Sequence, residues 1–388
     1  MTNCIILYAG YNVRASYYDD WIDSFERSSA FDITKLNICN FAVKYNLKRL
    51  LKEADLVILH HSVNADHVFY LEPLCLILAD RKCLLLSFVG NEVSLPGAYL
   101  STKRKVLASI APDYIATQLP LEAGEFLWGD LVTKAVLPLP HALNPHVFVS
   151  RIDSSSRPID IGVRAFRYPP HLGDNDRNAM FDMFREVSSR CGLNVDIGQE
   201  RFGRDDWVSF LNQCKGTISS EAGSWYLSKD DSFIKSVESK FGIKQNTFLS
   251  RPLIKRFGHM MPWSFRSFAA NFLRHFSASS GPSRQEMLDA FSEFSQPTVY
   301  SKCISSRHFD AIGTRTVQIL LEGRYNDVLI PKEHYICLKR DYSNFDEVIS
   351  SFLDVKERNR IAESAYQHVM DGHTYGHRIQ QLVSMIFH

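Results

Sequence analysis

The sequence predicts an α/β protein with two Rossmann-like domains that face each other across a cleft, the second interrupted by a helical excursion. The first observation is length, because 388 residues exceed what one hydrophobic core usually holds. The second is a series of continuous apolar runs separated by helical patterns, which is typical of parallel strands covered on both faces. The third is a polar, Ser-rich break at residues 150–158, which we interpret as an interdomain linker.

Residues 1–150 form the predicted first domain. Its candidate strands lie at residues 4–8, 56–59, 83–89, 114–116 and 134–137. Helical patterns between them indicate βαβ units and a parallel sheet. Ligands of such sheets bind beyond the carboxyl ends of strands, so function is expected in the loops at 9–12, 60–66 and 90–92.

Residues 158–374 form the predicted second domain, with candidate strands at 159–163, 193–197, 216–219 and 317–321. The helical excursion is expected at about 225–300, where the strand pattern stops. Residues 373–378 read as a turn into a final helix, 375–388, which is expected to pack back on the first domain.

The stretch from 241 to 285 contains no acidic residue, and basic and aromatic side chains alternate along it. A basic amphipathic segment of this kind binds anionic membrane surfaces. An anionic acceptor is a second candidate ligand. The alternative is an ordinary helix whose aromatic stripe packs on the protein.

Composition excludes several classes of protein. A net charge of +1 gives no case for nucleic-acid binding. The eight cysteines show neither a C-x-x-C pair nor zinc spacing, which favours reduced core residues. The N-terminal sequence does not resemble a signal peptide, and no apolar run approaches the roughly 18 residues of a membrane-spanning helix. We therefore expect a cytoplasmic protein, with peripheral contact at the inner face of a membrane as the candidate role of the basic stretch 241–285.

The most informative motif is Arg307-His308-Phe309-Asp310-Ala311-Ile312-Gly313, followed by a buried strand and then by His373-Thr374-Tyr375-Gly376-His377-Arg378. This order resembles the C-terminal pattern R-x-F-E-A-x-G … H-T-x-x-x-R of GT-B glycosyltransferases, in particular the bacterial family related to spore maturation glycosyltransferases. The resemblance covers about residues 158–380. It implies that the second domain binds a nucleotide-sugar donor and the first domain an acceptor.

The resemblance also implies a set of donor-binding residues. Asp310 matches the Glu that binds ribose, although Asp is one methylene shorter. Gly313, Thr314 and Thr316 would approach phosphate, and Arg164 or Arg167 would bind the diphosphate through the guanidinium group. The remaining candidates are Arg307, His308 and Glu322, and for His308 and Glu322 a structural role is an equal alternative.

Three side chains at strand ends of the first domain are candidates for a general base that would activate the acceptor hydroxyl: His61, Asp66 and Glu92. A retaining mechanism would need no such base, so stereochemistry stays open. No D-x-D element follows a strand, and the Asp19-Asp20 and Asp230-Asp231 pairs are expected to be exposed. We expect no metal and no other cofactor; cations and helix N-termini would stabilise the leaving diphosphate.

The function predicted from these observations is transfer of a sugar from a nucleotide-sugar, with UDP-sugars favoured, to a glycan or lipid-linked glycan. A nucleotide-sugar epimerase on the same scaffold is one alternative. A non-catalytic glycan-binding GT-B module is another. A dinucleotide oxidoreductase is disfavoured because no G-x-G-x-x-G follows a strand.

Overall fold

A computed structural model describes residues 1–10, 16–40, 42–65, 68–95, 98–168, 172–240, 289 and 299–387. Asp66, the whole basic stretch 241–285 and most of the predicted helical excursion at about 225–300 lie outside these residues, so these predictions stay predictions.

The first domain is a six-stranded parallel sheet in the order β2-β1-β3-β4-β5-β6. Its strands are β1 (Thr2–Tyr8), β2 (Phe31–Asn37), β3 (Leu56–Leu59), β4 (Leu84–Phe88), β5 (Tyr114–Thr117) and β6 (Ala135–Pro138). The helices described here are α1 (Ser16–Arg27), α2 (Val43–Leu50), α3 (Cys75–Ala79), α4 (Leu100–Ile110) and α5 (Leu121–Trp128).

Both faces of this sheet are covered, which explains the unbroken apolar runs in its strands. Along β3, Val57 packs in one core cluster and Ile58 in the cluster on the opposite face, because successive strand residues point to opposite sides. All four residues of β3 are buried.

The second domain is a five-stranded parallel sheet in the order β13-β12-β9-β7-β8. Its strands are β7 (Ile159–Arg164), β8 (Val195–Gly198), β9 (Cys214–Ser219), β12 (Val317–Leu321) and β13 (Ile336–Leu338). A separate two-stranded ribbon consists of β10 (Ala222–Gly223) and β11 (Lys302–Cys303). The described helices are α6 (Asp176–Cys191), α7 (Arg204–Leu211), α8 (Ser232–Lys240), α9 (Ser306–Gly313), α10 (Phe345–Leu353), α11 (Val355–Gly372) and α12 (Tyr375–Phe387).

The β10–β11 ribbon marks where the chain leaves and rejoins the second domain. Gly223 pairs with Lys302 in the antiparallel register. Gly223 has φ +99°, and a Cβ there would lie 2.7 Å from the Ser301 carbonyl oxygen. Glycine is therefore required both by the backbone conformation and by the close approach.

The last helix, α12, packs on the first domain. Tyr375, Ile379, Leu382 and Ile386 lie in the core cluster that contains Trp21 and Phe25 of α1. At the crossing point, the Tyr375 amide donates to the Leu143 carbonyl at 2.9 Å, and the Leu143 amide donates to the His373 carbonyl at 3.0 Å. The chain therefore crosses between the domains twice. The first crossing precedes β7, the first strand of the second sheet, and the second lies between α11 and α12.

The first crossing is fixed to the second domain by Arg157, which is buried. Its guanidinium donates to the carbonyls of Cys214 at 2.9 Å and Thr314 at 2.8 Å, and to the Ile152 carbonyl at 3.1 Å. Backbone carbonyls that would otherwise lack partners at this edge are thereby satisfied.

The predicted fold class is confirmed: two parallel α/β sheets of Rossmann type make up the chain. Among the described helices, none combines the length and the apolar character that a membrane-spanning segment needs.

Candidate functional site

The strand orders define where each domain can hold a ligand. In a doubly wound sheet, a crevice opens at the carboxyl edge between the two strands where the winding reverses. In the first sheet these strands are β1 and β3, which end next to Gly10 and His60. In the second they are β7 and β9, which end at Arg164 and Ser219.

An ion pair joins the two carboxyl edges. Arg204, the first residue of α7, lies with its Nη2 2.5 Å from Oδ1 of Asp20 and 2.6 Å from Oδ2 of Asp23, both on α1. The Asn144 side chain donates to the same Asp20 oxygen at 2.8 Å. The expectation that Asp20 is exposed is wrong, and so is the expectation for Asp231, since both are buried.

A pocket lies beside this ion pair, at the reversal point of the second sheet. Among the described residues of the first domain, only Tyr17 lines this pocket, and the rest of the lining comes from the second domain. Those residues are Arg164, Ala165, Phe166, Gln199, Glu200, Arg201, Phe202, Gly203, Arg204, Trp207, Ser306, Arg307 and Asp310.

Arg307 is one of four arginines that line the pocket, with Arg164, Arg201 and Arg204. It lies in the first turn of α9 with part of its side chain exposed, and within the described residues its guanidinium makes no ion pair with a carboxylate. Desolvation by the surrounding protein, and then the neighbouring Arg177, lower the pKa of Arg307 to about 10. The group therefore remains protonated at neutral pH and is available for an anion.

Arg177 adds a second cation. It is buried in the first turn of α6, with its guanidinium 3.9 Å from the centroid of the Tyr168 ring. The N-termini of α6 and α9 thus both carry an arginine whose charge no described carboxylate neutralises. Backbone N–H groups at helix N-termini also favour anions. Together these groups create a site for a strongly anionic ligand.

Asp310 lies one helical turn after Arg307, on the same face of α9, because residues three apart are neighbours on a helix. The Trp207 indole N–H donates to its Oδ2 at 2.9 Å. Burial, and then the nearby Asp20, raise the pKa of Asp310 well above its usual range. A protonated carboxyl offers one donor and one acceptor, so it suits a vicinal diol.

The two other predicted arginines are already paired. Arg164 binds Asp196 in a bidentate pair at 2.9 and 2.7 Å, and its guanidinium lies 4.2 Å from the Phe210 ring centroid. Arg167 binds Asp182 at 2.6 and 2.5 Å and does not line the pocket. Arg164 borders the pocket, but its charge is balanced; these contacts favour structural roles for both.

His308 is buried and fixes the start of α9. Its Nδ1 accepts a hydrogen bond from the Ser305 amide at 3.0 Å, as one half of a capping box. Burial lowers the pKa of His308 to about 3, so the ring is neutral. A neutral, buried ring contributes to helix capping rather than to charge in the pocket.

Gly313, Thr314 and Thr316 lie at the opposite end of α9, about 12 Å from its start at 1.5 Å per residue. They precede β12, so they are at the amino edge of the sheet. A Cβ on Gly313 would lie 2.5 Å from Leu143 Cδ1, and the Thr316 hydroxyl donates to the Leu211 carbonyl at 2.9 Å. The structure therefore does not bring these three residues to the pocket.

Glu322 follows β12 at the carboxyl edge, where it is exposed. Its Oε1 accepts a hydrogen bond from the Arg340 amide at 3.1 Å. It does not line the pocket. This contact favours the alternative that Glu322 orders the loop after β13.

The two described candidates for a general base in the first domain are both buried. His61 packs 4.8 Å from Phe88 and 5.5 Å from His141, between ring centroids, and its ring nitrogens have no hydrogen-bond partner in the described structure. Burial, and then the neighbouring His60, lower the pKa of His61 well below its usual range. The imidazole ring of His61 is neutral at pH 7, as a general base must be. Because the ring is buried, an acceptor hydroxyl could reach it only if the residues that surround it moved.

Glu92 accepts hydrogen bonds from the Thr117 hydroxyl and the Trp128 indole N–H, both at 2.7 Å, and from the Gln118 amide at 2.9 Å. Burial raises the pKa of this carboxyl. With both oxygens occupied by donors, Glu92 is suited to hold β4, β5 and α5 together.

Sequence reasoning missed Trp207, which lines the pocket, and two residues near it: Asp20, which pairs with Arg204, and Arg177 at the N-terminus of α6. The spacing of Asp20 and Asp23 on one face of α1 was a usable signal for a paired cation. No such local sequence signal pointed to Trp207 or Arg177, because the groups they face in the cleft come from segments that are distant in the sequence.

Within the described residues, no group of three His, Cys, Asp or Glu side chains is arranged to hold a metal ion.

Comparison with known proteins gives the class. Residues 269–384 match the family model described as glycosyl transferase-like, whereas no curated protein sequence matches the chain. The fold is similar to that of Anabaena HepE in complex with UDP-glucose, with a TM-score of 0.53, 7% identity, and coverage of 100% of this chain and 99% of that chain. It is also similar to sucrose-phosphate synthase from Thermosynechococcus elongatus, with a TM-score of 0.51, 10% identity and the same coverage.

These structural similarities establish the GT-B fold. Sequence identities of 7% and 10% support no conclusion beyond the fold. The family match covers the segment that contains α9 to α11 and most of α12. The chain therefore has the GT-B fold, and its residues 269–384 are similar to the glycosyl transferase-like family.

Proposed function

We propose that the protein transfers a sugar from a UDP-sugar to a glycan or lipid-linked glycan acceptor. The observation that carries the proposal is Arg307, a protonated guanidinium without a described carboxylate partner, at the N-terminus of α9 and one turn from Asp310. A nucleoside diphosphate presents an anionic group and a ribose diol, the two groups that this face of α9 would bind.

In the proposed complex the diphosphate lies between the N-termini of α6 and α9, where Arg307 and Arg177 pair with its oxygens. Asp310 binds the ribose, held in place by Trp207. The base lies against the loop at residues 199–203, which lines the same pocket. HepE was crystallised with UDP-glucose, which supports UDP as the nucleotide.

Leaving-group stabilisation would then come from the two arginines and the helix N-termini, because positive groups aimed at the developing charge lower the barrier most effectively in an enclosed site. We propose that no metal ion is needed for donor binding. A lipid-linked acceptor would be presented at the cytoplasmic face of a membrane. The closer relation to spore maturation glycosyltransferases, carried by the pattern from Arg307 to Gly313, is part of the same proposal.

The first test is calorimetric titration of UDP in the presence of EDTA. Arg307→Gln should lower UDP affinity by about tenfold to a hundredfold, since a lost charge-assisted bond costs roughly 1.5–3 kcal/mol. Arg167→Gln is the matched control, because that arginine is paired with Asp182 outside the pocket, and it should bind UDP as the wild type does.

Wild-type UDP affinity in Arg307→Gln would contradict the assignment of the diphosphate. A folded wild-type protein that bound no nucleoside diphosphate would favour the non-catalytic module. Isomerisation of a nucleotide-sugar without an acceptor would favour the epimerase.

A further inference from the structure

The loop that follows β12 contains three consecutive residues with left-handed backbone conformations. Tyr325, Asn326 and Asp327 have φ values of 49°, 54° and 58°. None of them is glycine, and among non-glycine residues Asn and Asp adopt this region most readily, whereas Tyr does not. The conformation of Tyr325 is therefore held by its surroundings rather than by local preference.

The contacts that hold this turn come from the second domain. The Tyr325 amide donates to Glu221 at 2.7 Å, and the Tyr325 hydroxyl donates to the Leu321 carbonyl at 2.6 Å. Tyr325 is fully buried. These bonds hold the backbone of the turn in place, and the position of the backbone in turn determines where the Asn326 side chain lies.

Asn326 bridges two backbone groups with its amide. The Ile304 amide donates to its Oδ1 at 2.7 Å, and its Nδ2 donates to the Gln118 carbonyl at 3.0 Å. The partners settle which atom is oxygen and which is nitrogen, because a backbone N–H can only donate and a carbonyl can only accept.

The two partners of Asn326 belong to different domains. Gln118 follows β5 in the first domain, and its own amide donates to Glu92. Ile304 lies two residues ahead of α9, whose N-terminus carries Ser306 and Arg307. The same turn makes a second contact with the first domain, an ion pair at 2.7 Å between Arg324 and Glu122 of α5.

We infer that Asn326 is a positioning residue, through which closure of the two domains sets the start of α9 and thereby the donor pocket. This inference rests on the proposed function for the identity of the ligand, but not for the domain contact itself. Its consequence is reciprocal: if closure favours nucleotide binding, nucleotide binding favours closure by the same factor.

Two variants distinguish the two hydrogen bonds of the Asn326 side chain, one to Ile304 and one to Gln118. Asn326→Asp keeps the left-handed backbone and the acceptor for Ile304 but turns a second oxygen toward the Gln118 carbonyl, so it breaks the interdomain contact alone. Asn326→Gly removes both bonds and relieves the backbone conformation. Asn344→Asp is the matched control, because Asn344 also bridges an amide, Lys339 at 2.9 Å, and a carbonyl, Cys337 at 2.9 Å, but within one domain.

The experiment measures the full chain without nucleotide by small-angle scattering and by hydrogen exchange, and then UDP affinity by calorimetry. Both Asn326 variants should scatter as more open molecules than the wild type. The Ile304 amide should exchange about tenfold faster in Asn326→Gly and remain protected in Asn326→Asp. UDP affinity should fall about fivefold or more in both, while Asn344→Asp matches the wild type in all three measurements.

Wild-type scattering and wild-type exchange at residues 304–307 in both Asn326 variants would overturn the inference, whatever the protein binds. Loss of thermal stability with unchanged scattering and unchanged UDP affinity would also overturn it, since that is the result of a purely structural role. A wild type that binds no UDP refutes the proposed donor, and the first two measurements then decide the role of Asn326 alone.

Discussion

At the scale of single residues, Asp20 shows how the cleft changes the chemistry of a carboxyl. It is buried on α1, it accepts hydrogen bonds from Arg204 and Asn144, and its second oxygen has no partner in the described structure. Burial raises the pKa of Asp20 to about 7, against the lowering effect of Arg204. The folded protein therefore keeps this proton to a much higher pH than the unfolded chain does.

The sign of the pH dependence follows from this raised pKa. Between about pH 4 and pH 7 the folded state binds the proton and the unfolded state has lost it, so the free energy of unfolding falls as pH rises through that window. Each unit of pKa difference corresponds to about 1.4 kcal/mol. Asp20→Asn, which cannot titrate, should remove this contribution to the slope.

Urea unfolding at pH 5, 6, 7 and 8 measures the effect. The stability of Asp20→Asn relative to the wild type should increase from pH 5 to pH 8. Parallel curves for the two proteins would show that Asp20 titrates in its ordinary range.

The pairing of the arginines could not be predicted from the sequence. Arg164 and Arg307 both lie in segments that the motifs indicated, yet one is neutralised by Asp196 and the other has no described partner. Asp196 lies 32 residues from Arg164, and the pairing depends on the register of β7 with β8. A local pattern identifies a charged group but not the distant residue that balances it.

At the scale of elements, α9 determines the site through both of its ends. Its N-terminus faces the pocket, and its C-terminus packs on the first crossing between the domains, where a Cβ on Gly313 would lie 2.5 Å from Leu143 Cδ1 and 2.6 Å from the Phe148 carbonyl oxygen. Glycine at this position allows the helix to lie directly on the backbone of the linker.

Gly313→Ala should therefore destabilise the protein by about 1–3 kcal/mol, because the added methyl has no space and its neighbours include backbone. Gly376→Ala in α12 is the matched control. The added Cβ would lie 3.5 Å from the Thr374 hydroxyl oxygen, which is an ordinary contact, and a better helix former should leave stability equal or slightly higher. The free energy of unfolding in urea compares the two. Equal stabilities would show that α9 shifts to accept the methyl.

The motif on α9 predicted that the end of this helix would approach phosphate, whereas the structure places that end at the amino edge of the second sheet. Residues that precede a parallel strand lie at the amino edge, and ligands of such sheets bind at the carboxyl edge. Gly313, Thr314 and Thr316 precede β12, so the sequence itself contained the signal that they lie away from the carboxyl edge and its pocket. The resemblance to a phosphate-binding turn favoured the opposite interpretation.

At the scale of the whole molecule, the fold class followed from hydrophobic runs because strands covered on both faces need apolar residues at every position. The relative placement of the domains did not follow. It depends on contacts such as Arg204 with Asp20 and Asn326 with Gln118, which join residues about 180 to 210 positions apart and leave no periodic signal.

The return of α12 ties the end of the chain to its beginning. Leu382 is fully buried in the cluster with Trp21 and Phe25, so Leu382→Ala should destabilise the first domain by about 2–5 kcal/mol. Met385 on the same helix is 37% exposed, and Met385→Ala should change stability much less. Urea unfolding, together with protease cleavage sites mapped by mass spectrometry, would detect the loss in the first domain.

Wild-type stability and wild-type protease resistance in Leu382→Ala would mean that α12 is not needed to complete the first domain.

The β10–β11 ribbon has a consequence for how proteins of this architecture diversify. The chain departs at Gly223 and returns at Lys302, two positions that face each other in one antiparallel pair. A segment anchored at adjoining points can be lengthened, shortened or exchanged without rerouting the strands on either side, since closing a longer loop costs little extra free energy. Two proteins with the same sheets can thus differ in everything between these points, and a chimaera joined at the ribbon would carry the substituted segment on an unchanged second sheet.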